Sequence, residues 1–260
     1  MNRINTLFLN KPGRILSVYF TAGYPELNDT ARIIQLLEKY GADLVEVGMP
    51  FSDPVADGPV IQKSNSRALE NGMSLEKLFN QLKDIRSRVN IPLILMGYFN
   101  PVFHMGMEKF LEQCTACGVD GVIIPDLPPE EYNVNYKGMF TRYGIAFIML
   151  ITPQTPVERI NYIDSVSEGF IYMVSASSTT GMKKGLTTDQ TDYFNRIKNM
   201  KLKNPCLAGF GISDRDAFDT ACRYVSGAII GSAFIKAIGE PGDVEENIIE
   251  FMNIFPKYSS

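Results

Sequence analysis

A single carboxylate stands inside an apolar segment, Leu44-Val45-Glu46-Val47-Gly48. Side chains of a strand alternate between its two faces, so Glu46 shares a face with Leu44. If the valine face packs on helices, Glu46 points into the protein interior, where an unpaired carboxylate is costly. Burial raises the pKa of a carboxyl toward neutrality, which suits a group that both donates and accepts a proton. The alternative is a structural glutamate paired with a lysine or arginine.

Two more carboxylates lie in the loop that follows. It reads Met49-Pro50-Phe51-Ser52-Asp53-Pro54-Val55-Ala56-Asp57-Gly58-Pro59, and its prolines and glycine stiffen it. Asp53 and Asp57 have the type and setting of ordinary turn or cap residues. A second carboxylate close to an inward-facing Glu46 would instead allow two roles set by two environments. The spacing alone leaves both interpretations open.

Three glycine-rich turns near the C-terminus predict a phosphate site. They read Thr179-Thr180-Gly181, Gly209-Phe210-Gly211-Ile212-Ser213 and Gly231-Ser232. Glycine lets backbone N–H groups approach an anion closely, and a short helix predicted at Ser232 would favour negative charge at its start. Plain tight turns are the alternative.

Other reactive residues have simpler explanations. Tyr172 lies within a predicted strand and is a core residue by default, although its buried hydroxyl would need a partner and could point at a substrate. Cys114 and Cys117 have redox spacing but fall on the inner face of a helix near its end, which indicates packing. His104 is predicted to lie in a loop.

Eight strand–helix units must position these residues. The predicted strands cover residues 15–20, 43–47, 93–96, 121–124, 146–151, 170–174, 205–208 and 227–230. The predicted main helices cover residues 28–40, 74–89, 107–117, 130–143, 156–166, 189–200, 213–223 and 244–255. A capping box is expected at Thr155 and a serine cap at Ser213.

The pattern predicts an α/β fold, a single (βα)8 TIM barrel over residues 1–260 with extra short helices in βα loops. Fully apolar strands are typical of parallel strands buried on both faces. A doubly wound open sheet is the competing architecture. In a closed barrel the chemistry lies where strands end and βα loops begin, which is where the polar candidates stand.

The composition argues against several classes of protein and site. The net charge of −4 and the sequence pI near 5.2 argue against a nucleic-acid or anionic-membrane surface. Four cysteines do not make a disulfide framework at this length, and one histidine excludes a two-histidine mechanism or a histidine-rich zinc site. The chain has no signal-peptide core and no apolar stretch long enough to span a membrane, so we expect a cytoplasmic protein.

The segment from Val45 to Pro59 closely resembles the signature of the tryptophan synthase alpha chain family. The resemblance continues, in order along nearly the whole chain, through Tyr19-Phe20-Thr21-Ala22-Gly23-Tyr24-Pro25, Met96-Gly97-Tyr98-Phe99-Asn100-Pro101, Ile123-Ile124-Pro125-Asp126-Leu127-Pro128, Gly169-Phe170-Ile171-Tyr172 and Gly209-Phe210-Gly211-Ile212.

The resemblance implies a role for each matching residue. It places the acid/base at Glu46, the partner of the indole nitrogen at Asp57 and an assisting tyrosine at Tyr172. The implied indole pocket comprises Tyr19, Met96, Tyr98, Ile123 and Pro125. The implied phosphate site uses backbone amides at Gly181, Gly211, Gly231 and Ser232, with Thr180, Phe210 and Ile229 nearby.

The resemblance also implies a reaction and a partner. Family members are barrels that cleave indole-3-glycerol phosphate to indole and glyceraldehyde 3-phosphate. They work with a beta chain that carries pyridoxal phosphate, so we expect an α2β2 tetramer and neither a cofactor nor a metal in this chain. Asp53 and Asn100 correspond to positions that face the partner.

One departure and two alternatives stand beside this prediction. The family carries arginine and glycine where this chain has Ala176 and Ser178, in a loop that closes over the substrate. That change suggests a barrel retained as a non-catalytic activating subunit. The other alternative is a different phosphate-binding barrel enzyme. A metal-dependent epimerase fits one histidine poorly, and indole-glycerol-phosphate synthase would need an inward lysine, which the predicted strands lack.

Overall fold

Eight parallel strands close into one barrel in chain order. The computed structural model describes residues 2–174, 188–209 and 211–255. The strands are β1 Ile15–Thr21, β2 Leu44–Gly48, β3 Leu93–Met96, β4 Gly121–Ile123, β5 Ala146–Ile151, β6 Ile171–Val174, β7 Cys206–Gly209 and β8 Gly227–Ile230. Since β1 pairs with both β2 and β8, the predicted closed barrel is confirmed and the open sheet is excluded.

Helices surround the barrel. In the described ranges they are α1 Arg3–Asn10, α2 Thr30–Tyr40, α3 Pro59–Glu70, α4 Leu75–Leu82, α5 Phe99–Met105, α6 Met107–Ala116, α7 Pro129–Glu131, α8 Lys137–Tyr143, α9 Val157–Val166, α10 Thr188–Met200, α11 Arg215–Ala221, α12 Ser232–Ile238 and α13 Val244–Met252. A π-helical turn, Tyr132–Tyr136, joins α7 to α8. None of the described helices is long and apolar enough to cross a membrane.

Several helix predictions were wrong in detail. Residues 74–89 do not form one helix, because α4 ends at Leu82 and a short 3-10 turn, Ile85–Ser87, follows it. The helices α1, α3 and α5 had no specific prediction, and His104 lies in α5 rather than in a loop. The short-helix prediction at Ser232 is confirmed by α12.

Two predicted helix caps were also wrong. The hydroxyl of Thr155 accepts a hydrogen bond from the backbone N–H of Thr152 at 2.9 Å, so it closes a turn instead of capping α9. The cap of α11 is Asp214, which accepts from the N–H of Ala217 at 2.9 Å, and Ser213 precedes it. At α11 the neighbouring carboxylate of Asp214 takes the capping role, whereas no side chain caps α9.

The core has two layers. The residues that fill the barrel interior include Ile15, Leu44, Ile94, Ile148 and Leu207, and a second cluster packs between the strands and the surrounding helices. Helix α1 contributes the fully buried Ile4 to the interior cluster, against the positions of Gly121 and Gly169 near the amino ends of β4 and β6. This side chain closes the amino-terminal end of the barrel.

Candidate active site

Glu46 points into the barrel, as its place in the strand predicted. On β2, Leu44 belongs to the interior cluster, whereas Val45 and Val47 belong to the outer cluster against the helices. Glu46 alternates with the valines and has 0% of its surface exposed. Its position therefore comes directly from strand alternation in a fully buried parallel strand.

The two carboxyl oxygens of Glu46 differ in their hydrogen bonding. Ser17 on β1 donates its hydroxyl hydrogen to Oε1 at 2.7 Å, while Oε2 is buried without a hydrogen-bond partner in the described part of the chain. Burial raises the pKa of Glu46 to about 8, and the Ser17 hydrogen bond opposes that rise. No ion pair to Glu46 occurs among the described residues, so the structural alternative of a lysine or arginine partner is excluded there. The group is thus a neutral acid near pH 7.

Two buried tyrosines stand close to Glu46. Burial, and secondarily the charges of Glu46 and Asp57, raise the pKa of the Tyr172 phenol far above its ordinary value. A Cβ on Gly48 would overlap the hydroxyl of Tyr19, and a Cβ on Gly209 would overlap the hydroxyl of Tyr172. Glycine at the ends of β2 and β7 therefore makes room for both rings at the mouth of the barrel.

Asp57 is the second carboxylate of the site. It lies half-buried in the loop after β2 and accepts a hydrogen bond on Oδ2 from the Tyr98 hydroxyl at 3.1 Å. Burial raises its pKa, and the Tyr98 hydrogen bond opposes that change. Burial is the main cause that raises the pKa of Tyr98 to about 12, and the charge of Asp57 is the second cause. This carboxylate is fixed in place and faces less water than a surface aspartate.

A cavity of about 610 Å³ opens at the carboxyl ends of the strands. Eight of the predicted site residues line it: Tyr19, Asp57, Met96, Tyr172, Gly211, Ile229, Gly231 and Ser232. Helix α12 begins at Ser232, and no side chain caps its first N–H groups. Gly211 has a φ of +76°, a conformation that glycine adopts without strain. One end of the cavity is thus lined by backbone and small residues.

A smaller cavity of about 350 Å³ lies beside the first. Tyr98 and Pro125 line it, and Tyr19, Asp57 and Met96 line both cavities. Its remaining lining residues are mostly apolar: Met49, Ala56, Asn65, Gly97, Leu150, Thr152 and Val174. Such a compartment suits a flat hydrophobic ring with one polar edge.

The structure does not bring every predicted residue to a cavity wall. Glu46 lines neither cavity, and Tyr19 and Tyr172 are its neighbours on the cavity side. Ile123 is fully buried in the barrel interior. The predictions for Thr180, Gly181 and Phe210, and the substitutions Ala176 and Ser178, lie outside the described residues.

Three residues at the site were missed from the sequence. Lys236 on α12 lines the larger cavity and is the one basic residue on its wall within the described ranges. Asn65 on α3 lines the smaller cavity, with its Oδ1 buried and unpartnered among the described residues. Ser17 contacts Glu46. Lys236 is one helical turn after Ser232, a spacing that would have indicated a shared face. Asn65 and Ser17 had no comparable signal.

These groups can perform proton transfer beside a pocket that is lined in part by backbone and small residues. Glu46 is a protonated acid near neutral pH, and Asp57 offers a negative charge at a fixed place. Among the described residues, no group of three or more metal-ligating side chains comes together. The arrangement is that of two carboxylates with different environments, joined to an apolar compartment and a small-residue pocket.

Comparison with known proteins identifies the family. The family model for the tryptophan synthase alpha chain matches residues 9–258. The tryptophan synthase alpha chain of Flavobacterium psychrophilum is 57% identical over 242 residues, which are 93% of this chain and 95% of that protein. A crystal structure of the alpha chain from Legionella pneumophila superposes with a TM-score of 0.87 at 32% identity, covering 97% of this chain and 95% of that one.

A further solved structure is of an assembly. The tryptophan synthase α2β2 complex from Pyrococcus furiosus contains a chain that superposes with a TM-score of 0.85 at 36% identity, covering 92% of this chain and 96% of that one. The barrel, its mouth and these matches agree over nearly the whole length. The chain therefore belongs to the tryptophan synthase alpha chain family, the lyases that cleave indole-3-glycerol phosphate to indole and glyceraldehyde 3-phosphate in tryptophan biosynthesis.

Proposed function

We propose that Glu46 and Asp57 carry the retro-aldol cleavage of indole-3-glycerol phosphate in this chain. The single observation that carries the proposal is the fully buried Glu46, with an unpartnered Oε2 and a pKa raised by burial to about 8. Such a group is protonated at neutral pH and can return to that state within one turnover.

The reaction runs through one proton that leaves Glu46 and one that returns to it. Protonated Glu46 delivers its proton to C3 of the indole ring, which makes the ring a cationic leaving group. Asp57 accepts a hydrogen bond from the ring N–H and stabilises that positive charge. The Glu46 carboxylate then removes the proton from the adjacent glycerol hydroxyl. The bond between C3 and the glycerol carbon breaks, its electron pair returns to the ring, and the carbon becomes the aldehyde of glyceraldehyde 3-phosphate.

The two cavities divide the substrate between them. The smaller, mostly apolar cavity takes the indole, with Tyr98 and Pro125 on its wall, and Asp57 lies at the junction. The larger cavity takes the glycerol phosphate, with backbone amides at Gly211, Gly231 and Ser232 near the phosphate. Thr180, Gly181 and Phe210 complete this end in the proposal, and Ile123 supports the indole pocket from inside the barrel. Tyr172 separates Glu46 from bulk water.

Proton transfer needs a side-chain movement. Glu46 lines neither cavity, whereas the rings of Tyr19 and Tyr172 do. Either the Glu46 side chain rotates toward the cavity or a tyrosine ring moves aside when substrate binds. Enclosure of the acid until that moment keeps water away from the reacting bond.

The chain acts in this proposal with a beta chain. Three large apolar side chains are exposed on segments that follow strand carboxyl ends: Val55 at 86%, Phe103 at 64% and Val134 at 78%. Exposed apolar groups around a cavity mouth mark a protein contact. Asp53 lies in the same loop as Val55, and Asn100 lies on α5 with Phe103. The partner holds the pyridoxal phosphate, the assembly is an α2β2 tetramer, and the reaction takes place in the cytoplasm.

The test is turnover of indole-3-glycerol phosphate by the isolated chain, with indole release as the readout. Glu46→Gln keeps the size of the side chain, so the substrate should still bind while cleavage falls by about 10²–10⁴. Glu70→Gln, an exposed glutamate on α3, serves as the matched control and should cleave at the wild-type rate. A Glu46→Gln variant with near-normal turnover would remove Glu46 from the mechanism. A wild-type rate no higher than that in buffer would favour the non-catalytic activating subunit.

A further inference from the structure

We propose that Ser17 is a positioning residue, which holds Oε1 of Glu46 so that Oε2 alone gives and takes the proton. The inference rests on the proposed acid/base function of Glu46 and adds a residue to it. It concerns a hydroxyl on β1 that touches neither cavity and acts only through Glu46.

The contact is short and completely enclosed. The Ser17 hydroxyl oxygen lies 2.7 Å from Oε1, and both residues have 0% of their surface exposed. Among the described residues this is the hydroxyl's one hydrogen bond, and Oε2 has none. A hydrogen bond to an ionisable group in such an enclosed place is stronger than one at the surface.

The surroundings of Ser17 give its hydroxyl no other purpose. Its neighbours in register are Leu44 on β2 and Ile229 on β8, and both belong to the apolar interior cluster. Ile15, two residues earlier on the same face of β1, belongs to it as well. An unbonded hydroxyl in this layer would cost free energy that an apolar side chain avoids. The hydroxyl is therefore accounted for by its bond to Glu46.

The bond distinguishes the two carboxyl oxygens. When Glu46 is protonated, Oε1 accepts from Ser17 as the carbonyl oxygen, so the proton resides on Oε2. When Glu46 is ionised, the same bond becomes charge-assisted and stabilises the carboxylate. Oε2 then both donates the proton to C3 and accepts the proton of the glycerol hydroxyl, so the carboxyl group does not need to rotate between the two steps.

The bond also limits how weak an acid Glu46 becomes. Burial raises the pKa of Glu46, and Ser17 opposes that effect. The other titratable groups that interact with Glu46 in the described ranges are Tyr19 on β1 and Tyr172 on β6. Burial raises the pKa of both phenols, so they stay neutral through the working range and Ser17 remains the group that adjusts Glu46.

The experiment compares Ser17→Ala and Ser17→Thr in the full chain. Activity is measured across pH, and the Glu46 carboxyl is titrated directly by infrared difference spectroscopy, with Glu46→Gln to assign the band. For Ser17→Ala we expect the basic limb of kcat and the infrared titration to move upward together by about one pH unit. We expect kcat at neutral pH to fall about tenfold and KM to stay within about twofold. Ser17→Thr restores the hydroxyl and should return both titrations toward the wild type.

The control is Ser167→Ala. Ser167 is equally enclosed, at 1% exposure, but its hydroxyl contacts the backbone of Phe147 and Met149 instead of Glu46. This variant should lose stability and leave the pH profile unchanged. If Ser17→Ala does not fold, Ser17→Cys carries the same test with a weak donor of nearly the same size.

The possible outcomes separate the two proposals. An infrared titration and a pH limb that do not move in Ser17→Ala, or a Ser17→Thr variant no better than Ser17→Ala, overturn the role of Ser17 and leave that of Glu46 intact. An active Glu46→Gln variant overturns the proposed function itself.

Discussion

The Tyr98 hydroxyl joins two parts of the loop after β2: it donates to Oδ2 of Asp57 at 3.1 Å and accepts from the backbone N–H of Ala56 at 3.0 Å. Tyr98 directly precedes α5, so these bonds tie the loop to the segment after β3. The ring of Phe51 lies 5.2 Å from the ring of Tyr98 and packs against it. Asp57 is therefore held in place by Tyr98.

Asp57→Asn should keep the fold and lose most of the activity. The amide cannot stabilise a positive indole ring, and loss of one such group lowers kcat by about 10²–10³. Kinetics on indole-3-glycerol phosphate check this, with Asp53→Asn as the control from the same loop, because Asp53 is exposed and lines neither cavity. Unchanged kinetics in Asp57→Asn would make Asp57 a turn residue.

The free energy of unfolding should fall as pH rises from the unfolded pKa of Glu46 to its folded pKa, because in that range Glu46 is ionised only in the unfolded chain. Burial raises the folded pKa of Glu46 to about 8 from an ordinary value of 4.5. Below the unfolded pKa both states are protonated and the contribution is complete. Between the two values the unfolded state releases a proton that the folded state keeps, so the free energy of unfolding declines by roughly 1.4 kcal/mol per pH unit from this group.

Denaturant unfolding at several pH values tests that slope. Residue 46 of Glu46→Gln does not titrate, so the free energy of unfolding of this variant should lack the decline. Between about pH 5 and 8 the wild type should therefore lose stability relative to the variant. Glu70→Gln again provides the control, since Glu70 is exposed. Parallel pH curves for wild type and Glu46→Gln would mean that Glu46 ionises normally in the folded protein.

Lys236→Met should weaken the binding of the phosphate-bearing substrate. Lys236 lies on the wall of the larger cavity, one helical turn after Ser232, and in the described ranges it has no ion-pair partner. Because the residue is exposed, we expect KM to rise only about three- to tenfold, with kcat nearly unchanged. The rise should shrink as salt is added. Lys109→Met, on the exposed face of α6, is the control, and an equal effect in both variants would contradict a local role.

Phe103→Asp should abolish association with a beta chain and leave the barrel folded. Phe103 is 64% exposed on α5 and packs only against its neighbours Phe99 and His104 among the described aromatic contacts. A charge there would lose its hydration in any interface. Leu9→Asp is the matched control, because Leu9 is 69% exposed on α1, at the closed end of the barrel. Co-purification with a beta chain measures the difference, and equal binding by both variants would place the partner elsewhere.

The fold was predictable because its strands are apolar on both faces. Five of the eight strands differ from their predicted bounds by one residue at one end or both, as at β2, and the position of Glu46 followed from alternation. Helix α3 was not predictable from periodicity, because the proline-rich loop runs into it at Pro59 and its buried positions include Ser64 and Asn65. A polar residue on a buried helical face hides the apolar stripe on which such predictions rely.

The site was predictable only in part. Asp57 and the glycine turns stand at strand ends, and the resemblance assigned them, but the Ser17–Glu46 bond joins side chains 29 positions apart. That contact depends on how β1 and β2 are staggered, which is a property of the closed barrel and not of either strand. The same holds for Asn65, whose place beside the cavity depends on the packing of α3.

The closure of the amino-terminal end of the barrel by Ile4 affects how molecules enter and leave the site. With Ile4 filling the amino-terminal end, the two cavities lie at the carboxyl ends of the strands, the end of the barrel where the exposed Val55, Phe103 and Val134 follow β2, β3 and β4. In the part of the chain that the structure describes, reactant, products and water therefore enter and leave at the carboxyl ends of the strands. A protein bound over this end of the barrel would control how fast the cavities fill, how dry they stay and where the aromatic product goes next.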